Sequence, residues 1–173
     1  PRRDDKILAD WNGLLLSGLS RAYRAFGDDH ALELAKELAG YIRKHLLRDS
    51  GMVHIDRVGK TDIPGTLNDY AFVTEGFLDL YEAGFDIEDL MTARALADRM
   101  TALFRSPEGR SYTTSSEARN LVARTMTGYD GATPSGNSVA VSNLLRLARL
   151  TGEKEYEQDA IGTLRRFHGM FGS

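Results

Sequence analysis

Residues 68–104 read NDYAFVTEGFLDLYEAGFDIEDLMTARALADRMTALF, an apolar helical pattern followed, after a short break, by a charged amphipathic one. In the first half Phe77, Leu80 and Tyr81 fall at the 3.6-residue period that stacks side chains on one helix face. The same pair occurs earlier. Leu15, Leu16, Leu19, Ala22, Tyr23 and Phe26 give a helix with a broad apolar face. After the turn Gly27-Asp28-Asp29, the residues Ala31, Leu34, Ala35, Leu38, Ile42 and Leu46 mark a narrower stripe with charges between. It recurs after Ser135, where Leu144, Leu147 and Ala148 precede the turn Thr151-Gly152, and Tyr156, Ala160, Leu164 and Phe167 follow it. Leu19, Phe77 and Leu144 are equivalent positions, at offsets of 58 and 67 residues. Units of this length predict stacked αα-hairpins, none of which can bury its apolar face alone. The expected fold is therefore all-α, an arc of three hairpins near residues 8–48, 67–105 and 135–171. The first helix of each should be the more buried, because its apolar stripe is broader.

Two longer connections separate the hairpins: SGMVHIDRVGKTDIPG (50–65) and SPEGRSYTTSSEARNLVARTMTGYDGATPSG (106–136). Their Gly, Pro and Ser content, with short β-branched runs such as residues 53–58, predicts loops carrying short strands. Connections this long in a helical body usually carry function or are disordered. Each leads from the second helix of one pair to the first helix of the next, so both lie at the same end of the array.

With 173 residues and 42% hydrophobic content, the chain can form one core that buries roughly 70% of the surface exposed when unfolded. Lys plus Arg total 22 against 25 Asp plus Glu, which lacks the basic footprint of a nucleic-acid binder. The absence of cysteine excludes disulfides, thiolate nucleophiles and zinc-thiolate sites in this chain. No apolar run approaches the roughly 20 residues that span a bilayer, and the opening PRRDDKILADWNG has no secretory core. A cytoplasmic protein without membrane partners is expected. The missing initiator Met, and an end soon after an amphipathic pattern, predict a piece of a longer chain.

Asn12, Asp69 and Asn137 stand at the starts of the three more apolar helices, each continuing an apolar face: Leu16 and Leu19 below Asn12, Val73 and Leu80 below Asp69, Val141 and Leu144 below Asn137. The plain role for such residues, and for Ser135 beside Asn137, is to satisfy free helix amides. Three such starts gathered at one end also predict the polar rim of a common cavity. Asp69 is the sharpest candidate, since the helix dipole favours its charged form as a sugar-hydroxyl acceptor or general base. Asp130, before Gly131, is either a turn residue or the second carboxylate that glycoside hydrolysis needs across a cavity. Trp11 and Tyr70 adjoin these positions and either stack on a ring-shaped ligand or pack the core. Of four histidines, His30, His45 and His168 fall on outer helices, while His54, in the first long loop, can reach the cavity rim as an acid or base. No pair of histidines has metal-ligand spacing, so neither a metal nor another cofactor is expected. Glu75, Asp79 and Glu82 share a helix face, read as a solvated strip or a contact between hairpins.

Three stretches, DDKILADWNGLLLSGLSRA (4–22), LNDYAFVTEGFLDLYEAGFD (67–86) and DGATPSGNSVAVSNLLRLARLTG (130–152), together resemble the C-terminal helical region of the spermatogenesis-associated protein 20 family. They occur in the family's order and cover nearly the whole chain. The resemblance implies an N-terminal thioredoxin-like domain followed by an (α/α)6 toroid similar to N-acylglucosamine 2-epimerases and six-hairpin glycosidases, of which this chain holds about half. Asn68 stands where the resemblance leads one to expect a second aspartate before Asp69, which counts against a two-aspartate mechanism here. Through the fold, the resemblance implies a carbohydrate-active domain, either an epimerase or isomerase working by proton transfer or a hydrolase. The alternative is a non-catalytic ligand- or client-binding module accompanying the thioredoxin-like domain. Expected partners are a small carbohydrate, that domain and the remaining hairpins, with self-association of the isolated piece through its open apolar flanks.

Overall fold

The structure, a computed structural model, describes residues 5–57, 63–105 and 131–171. Its helices pair as α1 (Ala9–Phe26) with α2 (Asp29–Tyr41), α3 (Leu67–Gly84) with α4 (Ile87–Phe104), and α5 (Gly136–Thr151) with α6 (Lys154–Phe171). Each pair turns within two residues, and the first two turns share one chemistry. A left-handed residue ends the first helix, Gly27 at φ 68° and Phe85 at φ 57°, each returning its N–H to the carbonyl four residues back. An aspartate then caps the second helix: Asp28 accepts from the amides of His30 and Ala31, and Asp86 from that of Glu88. In the third turn Gly152 takes the left-handed place at φ 77°.

α3 is the central helix, packed against α1, α4 and α5, and 12 of its 18 residues are buried. Its crossing with α1 is backbone-close. A Cβ at Gly13 would stand 2.5 Å from the carbonyl carbon of Phe72, and one at Gly76 would stand 2.8 Å from the carbonyl oxygen of Gly13. Glycine at both positions lets the two helices meet. Leu16, Phe72, Val73, Phe77, Phe104 and Leu147 fill the interior around this crossing. The expected burial order holds clearly for α3 over α4 and for α5 over the described part of α6. α1 exceeds α2 only slightly, because α1 lies at the edge of the arc and leaves Trp11 and Leu15 in solvent. Ile161 and Leu164 of α6 are likewise exposed at the other edge.

Asp79 ties the three inner helices together. It accepts from Ser17 and Arg21 of α1 on one oxygen and from Arg146 of α5 on the other, with both arginine contacts at 2.7 Å. Glu75 pairs with Arg21, and Glu82 with Arg24 and Arg146. The acidic strip is thus a contact between hairpins.

The segment before α1 and the stretch from the end of α2 into the first long connection form the only strands among the described residues. α2 ends in a π-helical turn, Ile42–Leu46; β2 (Leu47–Arg48) and β3 (Gly51–Met52) form a small hairpin, and β4 (Ile55–Asp56) runs antiparallel to β1 (Ile7–Leu8). This ribbon lies over the helix starts. His54 is pinned from both sides, its carbonyl taking the amide of Ala9 at 3.0 Å and its amide reaching the carbonyl of Ile63 at 2.8 Å. Most of the second long connection, with Asp130, lies outside the described residues. Among those residues no helix is long and apolar enough to cross a membrane.

Candidate functional site

The site grows from the first turn of α3. Thr66 caps this helix and forms a capping box with Asp69, whose Oδ2 accepts the Thr66 amide at 2.7 Å and its hydroxyl at 2.8 Å. The other oxygen, Oδ1, accepts the amide of Asp10 at 3.0 Å. That bond serves the start of α1, whose own cap residue, Leu8, has no side chain able to do so. Nδ1 of His54 lies 3.0 Å from Oδ1 and 2.9 Å from Oδ2. Asp69 is fully buried, so its charge is held by four donors from three segments instead of by water.

His54 keeps 27% of its side chain exposed. With Nδ1 donating to Asp69, Nε2 is left as the outward nitrogen. The hydrogen bond to Asp69 raises the His54 pKa above 6.5; burial opposes the rise, and the charges of Asp69 and Asp10 add to it. Asp10 is half-buried beside it, one oxygen accepting the Trp11 amide at 2.8 Å. Burial, and then the charge of Asp69, raise its pKa from 3.8. Ligand atoms of Asp10, His54 and Asp69 all lie within 4.8 Å of one another. These three could in principle hold a cation, a grouping that only the tertiary fold assembles, since their spacing along the chain is irregular. Both oxygens of Asp69 are already committed to protein donors, so the arrangement suits moving a proton more than ligating a metal.

The other candidates lie elsewhere. Trp11, 63% exposed, and Asn12 border an open recess of about 400 Å³ with Lys6, Leu38 and Tyr41. The amide of Asn12 donates to the Leu8 carbonyl at 2.7 Å. Tyr41 donates to Asp56 at 2.8 Å, and burial with that bond pushes its pKa up to about 12. Tyr70 packs edge-on against Phe104, its ring buried in the core, and its hydroxyl accepts the Met52 amide at 3.0 Å. Ser135 and Asn137 are buried at the start of α5, Asn137 beside a cleft of about 20 Å³ that is too small for a sugar. Among the described residues the helix starts adjoin one another, the Asp10 amide of α1 on Asp69 of α3 and the backbone of Gly136 in α5 so close to α3 that a Cβ there would stand 2.3 Å from Oδ1 of Asn68, while Trp11 and Asn137 border different recesses. The structure joins Asp69 with His54 and with Asp10, which sequence reasoning missed. An acidic residue in the first turn of an apolar helix, next to Trp11, was the available signal.

No family model matches the chain. Spermatogenesis-associated protein 20 of Homo sapiens is 35% identical over 180 residues, covering 96% of this chain and 23% of the relative. The Mus musculus protein of that name is 35% identical over 180 residues, covering 95% and 22%. An uncharacterized Caenorhabditis elegans protein is 30% identical over 168 residues, covering 92% and 23%. The chain spans less than a quarter of the length of these relatives. Among solved structures, a GH76 alpha-mannanase of Bacteroides thetaiotaomicron superposes with a TM-score of 0.77 at 19% identity, covering 95% of this chain and 44% of that one. The cellobiose 2-epimerase of Spirochaeta thermophila gives 0.73 at 15%, covering 94% and 43%, and a D-mannose isomerase 0.70 at 18%, covering 91% and 39%. The three hairpins thus define an all-α array of the six-hairpin glycosidase-like class, matching a little under half of each toroid. Over the segment it shares with those relatives, the chain belongs to the spermatogenesis-associated protein 20 family.

Proposed function

We propose that this chain forms the proton-transfer wall of a carbohydrate site, with His54 as the acid–base group, Asp69 as its positioning partner and Asp10 as a second titrating group. The observation that carries this reading is the contact of His54 Nδ1 with the buried Asp69 carboxylate, which leaves Nε2 outside that contact on a side chain that stays 27% exposed. A base of this kind, with a pKa raised from 6.5, is suited to removing the proton on the carbon next to the carbonyl of a ring-opened aldose. Returning that proton to the opposite face of the same carbon epimerises the sugar. Returning it to the former carbonyl carbon, with the hydroxyl proton moving to the carbonyl oxygen, isomerises an aldose to a ketose. Neither outcome needs a redox cofactor. The likeness of the fold to sugar epimerases and an isomerase supports the same reading. Hydrolysis by paired carboxylates is less well supported: Asp69 is buried with its oxygens occupied, and Asn68 replaces a second acid beside it. The proposal extends to setting: a cytoplasmic role in carbohydrate metabolism, beside the thioredoxin-like domain that the family resemblance implies.

The test is proton exchange in D2O. Full-length protein incubated with glucose, mannose and cellobiose should wash out the C2 proton signal by NMR, and His54→Gln should abolish the exchange with unchanged circular dichroism. Equal exchange in His54→Gln, or sugar binding with no exchange, would overturn the catalytic reading.

A further inference from the structure

The three hairpins repeat in their contacts as well as in their sequence. Offsets of 58 and 67 residues bring Gly27, Phe85 and Gly152, the left-handed residues that end α1, α3 and α5, onto one position. In that register both seams between inner helices join the same two positions. Where α3 meets α1, a Cβ at Gly76 would stand 2.8 Å from the carbonyl oxygen of Gly13. Where α5 meets α3, Asn143 donates its side-chain amide to the carbonyl of Ala71 at 2.7 Å. Gly76 and Asn143 are equivalent, as are Gly13 and Ala71.

α1 carries the docking half of this seam with nothing on it. Gly18 is the equivalent of Gly76 and Asn143, and a Cβ there meets nothing within 4 Å. The place accepts a side chain, since Asn143 fills it in α5. Leu15 is 52% exposed, whereas its equivalents Val73 and Ala140 are 0% and 6% exposed. An apolar stripe that two sister helices bury against a neighbour is an interface left open.

The charges define the helix that fits. Arg21, Asp79 and Arg146 occupy equivalent positions, and so do Arg24, Glu82 and Arg149. The sign alternates from helix to helix. Arg21 bonds Asp79 and Arg24 bonds Glu82 across one seam, while Arg146 bonds both carboxylates across the other. A guanidinium group has donors for two carboxylates, as Arg21 shows with Asp79 and Glu75. Arg21 and Arg24 stay 56% and 45% exposed despite their bonds to α3. α5 of a second copy would set Arg146 against Arg21 and Arg149 against Arg24, a juxtaposition of like charges.

We infer that the α1 flank at Leu15 and Gly18 docks an acidic inner helix from another hairpin of the longer protein, in the register that joins α3 to α1. The chain accounts for 44% of the mannanase it superposes on and 23% of its human relative, which leaves chain enough to supply that helix. The docked helix brings a small residue to Gly18, as α1 brings Gly13 to Gly76. Carboxylates follow that small residue by 8 and 11 positions, as Asp79 and Glu82 follow Ala71.

The test replaces Leu15 of the full-length protein with the photo-cross-linker p-benzoylphenylalanine and reads the linked peptide by mass spectrometry. The expected product is an intramolecular link to a helix outside these 173 residues that carries the small residue and both carboxylates. Carbene footprinting of the unsubstituted full-length protein, kept monomeric by dilution and checked by sedimentation, decides if the bulkier residue gives no link. Leu15 should then lose its labelling, while Met91, 64% exposed on α4, keeps it. A link between two copies, a linked helix without the carboxylates, or Leu15 labelled as fully as Met91 would overturn the inference.

Discussion

The imidazole of His54 meets both oxygens of the Asp69 carboxylate, Nδ1 standing 3.0 Å from Oδ1 and 2.9 Å from Oδ2. The same buried group takes the amide of Asp10 and the amide and hydroxyl of Thr66. One side chain therefore closes the starts of two helices and orients the candidate base. Cap chemistry alone would make Asp69→Asn nearly neutral, since Asn caps about as well as Asp. Here it should not be. An amide offers one acceptor oxygen and turns its other corner into a donor facing donors, so a loss of about 2–4 kcal/mol is expected. Thr66→Ala should lose only about 1 kcal/mol. Urea unfolding of the two variants checks the order, and a loss for Asp69→Asn no larger than that for Thr66→Ala would mean that these bonds are not made.

The pH dependence has a definite sign. The folded-state pKa of His54 is raised above 6.5, chiefly by its hydrogen bond to Asp69, so the protonated ring stabilises the fold. That contribution is complete below the unfolded value and is lost as pH rises through the higher folded one. Asp10, raised from 3.8 by burial and by Asp69, acts in the same direction at lower pH, its ionisation costing stability as pH climbs. Stability should thus fall as pH rises from 6.5 through the raised folded-state value in the parent, and this decline should vanish in His54→Gln. Thermal melts across the range measure it; parallel curves would remove His54 as the source.

The hairpin repeat was legible because broad and narrow apolar stripes alternate along the sequence, and only a helical body buries both. His54 was legible as a rim residue because its loop returns to the helix starts. Asp10 was not, since its closeness to His54 depends on β1 pairing with β4, and two-residue strands leave almost no periodic signal. Tyr70 was legible only as a ring that either stacks on a ligand or packs the core, and the structure packs it edge-on against Phe104. Its ring continues the apolar side of α3, which is buried almost all round, so only the hydroxyl edge reaches a recess.

Asp79 should matter more than its acidic neighbours. It is 3% exposed and takes arginines from α1 and α5, whereas Glu82 is 28% exposed. Asp79→Asn should lose about 1–3 kcal/mol by weakening charge-assisted bonds in a buried place. Glu82→Gln should lose no more than about 1 kcal/mol, because its ion pairs are screened by solvent. Chemical denaturation in low and high salt separates the two, with only the Glu82 effect shrinking markedly as salt rises.

The closest test of the arc uses two glycines of one helix. At Gly13 a Cβ would lie 2.5 Å from the carbonyl carbon and 2.8 Å from the carbonyl oxygen of Phe72, and 2.6 Å from the amide nitrogen of Val73, all backbone atoms that cannot swing aside. Gly13→Ala should therefore push α1 off α3 and lose about 3 kcal/mol. At Gly18 a Cβ meets nothing within 4 Å, so Gly18→Ala should gain about 0.5–1 kcal/mol from helix propensity alone. Because both substitutions add the same methyl to the same helix, the opposite signs isolate the crossing. The consequence reaches the site. Gly13 lies one turn beyond Asp10, so displacing α1 there pulls the Asp10 amide from Asp69 and loosens the carboxylate that holds His54. Gly13→Ala should then shift the His54 imidazole titration, followed by NMR, back toward an ordinary histidine, while Gly18→Ala leaves it in place. A stable Gly13→Ala protein with an unmoved titration would mean that α1 and α3 do not meet as closely as described, and that the His54 environment does not depend on their contact.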